Sequence, residues 1–296
     1  MKEKLNLLAL ETSSSQRSVA LLQVDEVNNI TIVEDVTSEN STQSLLHMID
    51  NILKKLNLDK KAINCIVFGQ GPGSFTGTRL SCSLAHGMSL TLKIPILSIE
   101  SHLAMAEASK SKIDQIIVVA SDAKMNEIYL SAYQVNPKYQ FGFNILQSTI
   151  LVACNDLVPW LRNKVNAFYK FQKQPNLVLV GNAWSIENIN SNLNSSWLKT
   201  SIYYPSAKNI AILGKEIFLK NHHKKQILKD LMPLYIRNKV AFTIAEQKLG
   251  NTGNPKIVPF VEDKLKLLPQ IMTEKDLNEV YLLEQEDQIN PWTKKI

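Results

Sequence analysis

The residues whose types and spacing best suit binding chemistry lie in two polar turns, each placed after an apolar run. The first turn carries Glu11, Thr12 and Ser13. The second is the loop from Gly69 to Gly77, which holds four of the ten glycines in the chain. Glycine allows positive φ and close backbone approach, and free N–H groups at a helix N-terminus attract anions. The pattern predicts a loop that holds a phosphate or another anion, with the candidate residues Glu11, Thr12, Ser13, Gly71, Gly73, Ser74, Thr76 and Gly77.

Alternating strand and helix patterns position these two turns. Strand patterns at 5–11, 17–24 and 30–36 are separated by short polar turns, which predicts antiparallel neighbours. Apolar residues at three- and four-residue spacing predict a helix over 42–56 with an N-cap near Ser41. A strand at 63–68, a helix at about 78–92 that Ser74 or Thr76 can cap, and a strand at 94–99 follow. The predicted order is βββαβαβ.

A second α/β lobe is predicted between residues 101 and 241, with helices near 102–109 and 207–221 and strands at 116–120, 128–135 and 177–180. Two glycines and a proline between Gly250 and Pro255 are typical of a linker. We therefore predict a main domain at 1–248, with lobes of about 1–100 and 101–248. A linker at 249–268 and a short tail at 269–296 follow.

The composition favours an ordinary folded cytoplasmic protein. The 296 residues are 45% apolar, which is enough to bury a full core. No apolar run reaches the eighteen or so residues that cross a bilayer, and we expect neither a secretion signal nor membrane association. The three cysteines, Cys65, Cys82 and Cys154, have the spacing of neither a disulfide framework nor a zinc site.

One basic stretch stands out against the net charge of +6. Between Leu219 and Lys239, six lysines or arginines accompany a single aspartate. A basic surface of this kind suits RNA or an acidic partner, and its candidate residues are Lys220, Lys224, Lys225 and Arg237. A solvated helix end has the same composition, because cations favour helix C-termini. Both interpretations stay open.

Several separated motifs, in consistent order over roughly residues 5–245, resemble the TsaB family of tRNA threonylcarbamoyladenosine biosynthesis subunits. They are LALETS at 8–13, GQGPGSFTGTRLSCSLAHG at 69–87, SIESHL at 98–103, DAKMNEIY at 122–129 and PLYIRNKVA at 233–241. The resemblance implies a two-lobed actin-like (ribonuclease-H-like, ASKHA) α/β fold with mixed sheets. It also implies a noncatalytic scaffold that binds a TsaD-like catalytic threonylcarbamoyltransferase subunit. A TsaE-like ATPase would complete a complex that uses ATP and modifies the tRNA adenosine next to the anticodon.

The resemblance also allows predictions about metal and nucleotide binding. The family's catalytic paralogue binds a metal through two histidines one helical turn apart, but the corresponding helix here carries only His47. We therefore expect no metal site and no directly bound cofactor. Glu11 stands where actin-like phosphotransferases usually present an aspartate, which disfavours nucleotide chemistry. An active ATP- or metal-dependent transferase is the alternative, and a tRNA-binding module is a third interpretation.

The helix after the glycine loop is the strongest candidate interface. Leucine and methionine recur there every four residues beside a row of small residues, a pattern that permits close helix approach. The resemblance implies that this helix and the first long helix contact the catalytic subunit, or a second copy of the chain when that subunit is missing. Packing onto the chain's own sheet would use the same spacing. The candidate interface residues are Leu80, Leu84, Met88, Ser81, Ala85, Leu45 and Ile49.

The tail carries a separate, weaker resemblance. Residues 272–293 look like the opening strand and helix of a GNAT acetyltransferase of the ribosomal-protein alanine acetyltransferase type. The later turn that binds the acetyl-CoA pyrophosphate has no counterpart in the sequence, so we expect no acetyltransferase activity from this fragment.

Overall fold

The apolar runs of the first hundred residues form one mixed sheet, in a computed structural model that describes residues 4–39, 41–169, 176–221 and 231–237. The elements of this first lobe are β1 (Leu5–Glu11), β2 (Arg17–Val24), β3 (Ile30–Thr37), α1 (Thr42–Lys55), β4 (Cys65–Gly69), α2 (Phe75–Leu92) and β5 (Ile96–Ile99). The strand order is β3-β2-β1-β4-β5. β1, β2 and β3 are antiparallel neighbours, whereas β4 runs parallel to both β1 and β5.

The second lobe repeats this topology. Its elements are α3 (Ser101–Ser109), β6 (Ile116–Lys124), β7 (Glu127–Val135), β8 (Phe143–Ala153), α4 (Cys154–Tyr169), β9 (Leu177–Val180), α5 (Glu187–Asn190) and β10 (Leu198–Lys199). The helix predicted at 207–221 as part of this lobe is α6 (Ala207–Asn221), and it packs on the first sheet instead. The sheet order is β10-β9-β6-β7-β8, again three antiparallel strands followed by two parallel ones. None of the helices within the described ranges is long and apolar enough to cross a membrane.

Helices cover both faces of the first sheet. Alternate residues of β1 point to opposite faces, so Leu8 and Leu10 pack with α1 and α2 while Leu7 and Ala9 pack with α6. All seven residues of β1 are buried. Because a strand that is covered on both faces has a continuous apolar sequence, the position of β1 could be predicted from the sequence.

The predicted α/β class, with two lobes built on mixed sheets, is confirmed, and most predicted elements are present. The bounds of β1, β2, β9 and α6 match the predictions. The predicted cap of α1 is also found, since Ser41 Oγ accepts a hydrogen bond from Ser44 N at 3.0 Å. The helix predicted at 78–92 begins earlier, at Phe75, because Ser74 Oγ caps it by accepting from Gly77 N at 3.2 Å.

No sequence pattern predicted β8, α4, α5 or β10. β8 is an edge strand of mostly half-buried residues, and its pairing with β7 shifts register twice. Strict apolar–polar alternation is therefore weak there. The predicted linker at 249–268 and the acetyltransferase-like tail at 269–296 lie outside the described residues.

The last described segment, residues 231–237, bridges the two lobes, and we call it the strap. On the first lobe, Leu231 packs against the core beneath α1 and α2, and Leu234 N donates to Gln70 O at 2.8 Å. On the second lobe, Arg237 donates to Ala123 O at 3.0 Å and forms an ion pair with Glu127. The side chains of this pair are only 15% and 11% exposed.

We predict that Arg237→Ala lowers the free energy of unfolding by about 3 kcal/mol, because Glu127 would remain buried without its partner. Urea denaturation of the full chain measures the change. Arg237→Lys should recover part of the loss, since an ammonium keeps the charge but lacks the planar fork. Lys208→Ala, at an exposed position of α6, is the control. A loss for Arg237→Ala no larger than that of the control would contradict the prediction.

Candidate functional site

The glycine loop lies directly against the first turn of the chain. Ser74 N donates to Ser13 O at 2.6 Å, and Thr12 Oγ donates to Gly77 O at 2.6 Å. A Cβ atom added at Gly73 would overlap the Ser13 carbonyl oxygen, and one at Gly77 would overlap the Thr12 carbonyl oxygen. These two glycines are therefore needed for the close approach of the chain's own backbone.

Glu11 is enclosed at the centre of this contact. Its side chain is fully buried, Oε1 accepts from Ser13 N at 2.6 Å, and Oε2 accepts from Ser101 Oγ at 2.7 Å. A Cβ atom at Gly69 would overlap the Glu11 carboxyl group. Burial raises the pKa of Glu11 above its ordinary value of 4.5, against the opposing effect of hydrogen bonds from Ser13 and Ser101. One carboxyl group thus joins β1, the glycine loop and α3.

The first turn of α3 holds the loop from its other side. Gly71, at φ +99°, donates its amide to Ser101 Oγ at 3.2 Å, and Ser101 N donates to Gly71 O at 2.7 Å. The amides of Gly71, Ser74 and Gly77 consequently donate to acceptors within the chain. The structure brings the predicted anion-loop residues together, and these three amides could bind an anion only after release from their internal acceptors.

The strap links the glycine loop to the hairpin that joins β6 and β7. Lys124, Met125 and Asn126 at the tip have φ of 64°, 59° and 60°. The left-handed region is unfavourable for residues other than glycine, so the surroundings must hold this tip. Arg237 contacts it through Lys124 O at 3.4 Å and Met125 Sδ at 3.0 Å, and Asp122 accepts from Lys124 N at 2.8 Å.

His102 is a structural residue of α3. It is buried, and its ring nitrogens lie 2.9 Å from Ser131 Oγ and 2.7 Å from Ser121 Oγ. Burial lowers the pKa of His102 to about 3, so the ring is neutral at physiological pH. Within the described ranges, no group of three or more His, Cys, Asp or Glu side chains is arranged to hold a metal ion.

The exposed surface of α2 is not the helix face that was predicted from the sequence to be the interface. Leu45, Ile49, Ser81 and Ala85 are buried in the chain's own core, and Leu80, Leu84 and Met88 are half-buried against it. The exposed residues Arg79, Ser83, Gly87 and Thr91 follow one another at four-residue intervals, and we call them the outer stripe. A Cβ atom at Gly87 would have nothing within 4 Å. The sequence feature that could have indicated this surface is Gly87, a glycine in the interior of a helix where no turn requires it.

The predicted basic surface is only partly described. Lys220 is exposed near the end of α6, whereas Lys224 and Lys225 lie outside the described residues. Arg237 belongs to the nearly buried ion pair with Glu127, so it does not extend an open basic surface.

Comparison with known proteins identifies the family. A family model described as TsaD, tRNA N6-adenosine threonylcarbamoyltransferase, matches residues 25–244. The tRNA threonylcarbamoyladenosine biosynthesis protein TsaB of Haemophilus influenzae is 30% identical, with 81% of this chain and 97% of that protein aligned. The chain belongs to the TsaB family. The Escherichia coli TsaB is 25% identical over 80% of this chain and 97% of its own length.

Solved structures share the fold of this TsaB-family chain. A Pseudomonas aeruginosa structure, described as an uncharacterized protein with similarity to peptidase YEAZ, has a TM-score of 0.60 at 22% identity. It covers 79% of this chain and is itself covered completely. A structure of YeaZ from the same organism has a TM-score of 0.59, with 78% and 99% covered. The TM-scores of the two structures support a common fold.

Two glycines of α2 should respond in opposite ways to alanine. Gly77→Ala should lower the free energy of unfolding by about 2 kcal/mol or more, because its methyl group would overlap Thr12 O. Gly87→Ala should raise it by about 0.5–1 kcal/mol, because alanine is the better helix former and the space is open. Thermal and urea unfolding measure both. The same sign for both variants would refute the difference between the inner and outer faces.

The buried carboxyl of Glu11 should make stability depend on pH. Because its pKa is raised by folding, its contribution is fully present below pH 4.5 and is lost as pH rises through the folded-state pKa. Glu11→Gln removes this ionisation while keeping an acceptor for Ser13 N. The variant should therefore gain stability relative to the natural chain as pH rises above about 4.5. Urea unfolding between pH 4 and 8 tests this, and parallel pH curves would contradict it.

Proposed function

We propose that this chain is the noncatalytic, partner-binding subunit in the synthesis of threonylcarbamoyladenosine in tRNA. Relatives named tRNA threonylcarbamoyladenosine biosynthesis protein TsaB support the pathway. The match to the TsaD family model supports descent shared with the transferase itself. A TsaD-like subunit would transfer the threonylcarbamoyl group, and a TsaE-like subunit would turn over ATP. This chain would hold the transferase in its active arrangement.

The observation that carries the proposal is the glycine at the centre of the outer stripe. A glycine in a helix interior is less stable than alanine by roughly 0.8–1.0 kcal/mol. Nothing within 4 Å of a Cβ at Gly87 requires the smaller residue in this chain. A helix of another protein that packs across α2 would require it, because small residues let helix axes approach closely.

The residues beside the stripe suit such a partner. Leu80, Leu84 and Met88 run along α2 next to it, half-buried against the chain's own core. Their exposed portions would border a partner helix seated on Ser83 and Gly87. The buried residues Leu45, Ile49, Ser81 and Ala85 would support this face from beneath. Without the TsaD-like subunit, two copies of the chain would pair through the same stripe.

The polar groups at the loops also support a noncatalytic role. Glu11, which would have to organise magnesium and phosphate in a phosphotransferase, is fully buried and accepts two internal hydrogen bonds. The amides of Gly71, Ser74 and Gly77 donate within the chain, and Leu234 N of the strap donates to Gln70 O in the loop. Glu11 and these three amides would have to be released from their partners before they could bind a nucleotide. This observation favours the scaffold over the ATP-dependent transferase.

Reconstitution tests the proposal. The full chain is combined with the TsaD-like and TsaE-like subunits of the same organism, and threonylcarbamoyladenosine formation is measured with tRNA, ATP and added threonylcarbamoyl-adenylate as the activated donor. Formation should fall to background when the chain is left out, because the transferase lacks its support. Full activity without the chain would refute the scaffold.

Gly87→Leu tests the outer stripe in the same assay. The added side chain projects from an exposed position, so the isolated chain should stay folded while the dissociation constant for the TsaD-like subunit rises at least tenfold. Circular dichroism checks folding, and isothermal titration calorimetry measures binding. Asn163→Leu, on the exposed side of α4 in the other lobe, adds the same side chain as a matched control. Unchanged binding by Gly87→Leu would exclude the stripe.

A further inference from the structure

A preorganised cation lies at the N-terminal end of the outer stripe. We propose that Arg79, held by Phe75 and Tyr235, is an anchor that receives an aspartate or glutamate side chain of the partner subunit. This inference rests on the proposed function, since the occupant is the TsaD-like subunit that α2 would bind. The stripe would supply the close approach, and the anchor would supply the orientation of the partner along it.

The side chain of Arg79 is fixed from two directions. Its guanidinium carbon lies 3.6 Å from the centre of the Phe75 ring and 5.6 Å from that of Tyr235. Its Nε donates a hydrogen bond to Tyr235 Oη at 2.8 Å. A guanidinium held in this way has already lost much of its conformational freedom before a partner arrives. The two terminal Nη groups remain at the end of the side chain, where they can donate in parallel to a carboxylate.

The positive charge of Arg79 would be stabilised by an anion from a partner. Among the described residues, no carboxylate lies within ion-pair distance of Arg79. Two cations of the strap and of the hairpin that it contacts have partners, since Lys124 pairs with Asp122 and Arg237 pairs with Glu127. Among the residues that the structure describes, no carboxylate therefore balances the positive charge of Arg79.

The surrounding surface is apolar and open, as expected of an unfilled contact centre. Phe75 is 56% exposed and Tyr235 is 42% exposed. Met232, at 62%, extends the apolar area along the strap. Tyrosine and arginine are over-represented where truncation weakens protein–protein binding most, and aromatic neighbours exclude water from a charged pair.

Two observations favour a carboxylate of a protein over RNA. The Phe75 and Tyr235 rings are inclined at 46° with centroids 6.1 Å apart, so they do not form a flat slot for a base. Arg79 already covers one face of Phe75. RNA surfaces combine several cations along a backbone with free aromatic faces, whereas this surface offers one unpaired cation among the described residues.

The anchor is continuous with the outer stripe. Arg79 stands four residues before Ser83 and eight before Gly87, and all three are exposed. A partner helix that crosses at Gly87 and runs along α2 would bring one of its side chains to Arg79. Tyr235 belongs to the strap, which the Arg237–Glu127 ion pair ties to the second lobe. The anchor is thus built from both α2 and the strap.

Charge reversal tests the anchor in the full chain with the TsaD-like subunit of the same organism. Arg79→Glu should raise the dissociation constant at least thirtyfold at low salt, and Arg79→Lys should raise it by a smaller factor, since an ammonium cannot make the bidentate contact. The salt dependence of binding should be weaker for Arg79→Gln than for the natural chain. Calorimetry at two salt concentrations measures these changes, and thermal melts check that the exposed substitutions leave the fold intact.

A partner scan identifies the occupant. Each exposed aspartate or glutamate of the TsaD-like subunit is changed to lysine, and one such change should restore binding to Arg79→Glu. Binding of Arg79→Glu equal to that of the natural chain would overturn the anchor. If Gly87→Leu still weakens binding in that case, the proposed function stands. No binding by the natural chain would overturn both.

A titration with a tRNA anticodon stem-loop tests whether Arg79 binds RNA instead of the partner subunit. Loss of RNA binding in Arg79→Glu, with partner binding unchanged, would also overturn the proposal and assign the surface to RNA. Equal RNA binding by the natural chain and Arg79→Glu, together with weakened partner binding, supports the anchor.

Discussion

The buried carboxyl group of Glu11 is the contact on which the arrangement of the surrounding loops depends. It fills the space that a side chain at residue 69 would need, and it accepts hydrogen bonds from Ser13 N and Ser101 Oγ. A buried carboxyl without such partners would be strongly unfavourable, so the first turn and α3 are both fixed relative to β1. The glycine loop follows, because Ser101 also accepts from Gly71 N.

The start of α3 extends this arrangement into the second lobe. Glu100 accepts a hydrogen bond from Thr149 of β8, Ser101 contacts β1, and His102 contacts serines of β6 and β7. Three successive residues therefore join three parts of the molecule. The strap makes a second connection on the other side of the glycine loop, through Leu234 and Arg237. Two separate sets of contacts therefore connect the two lobes, which share the same topology.

The sequence predicted those features whose cause is local. The buried strand β1, the amphipathic helix α1 and the Ser41 cap all have short-range signals, and each was found. Arg237 and Glu127 form an ion pair although they are 110 positions apart in the sequence, so no local pattern predicts this pair. The small residues of α2 show the same limit, since spacing predicted a helix and its two faces but not which face meets the sheet. Ser81 and Ala85 point inward because the glycine loop fixes where α2 begins.

The two glycines of α2 explain how the glycine loop determines the direction of this helix. At Gly77, the missing side chain makes room for Thr12 O, so the N-terminus of the helix is fixed against the chain itself. At Gly87, ten residues further along, the missing side chain leaves open space. Because the first glycine fixes the direction of the helix, the second is presented at a defined position on the surface. This directional constraint comes from contacts within the chain, because Thr12 O and Ser74 Oγ hold the start of the helix.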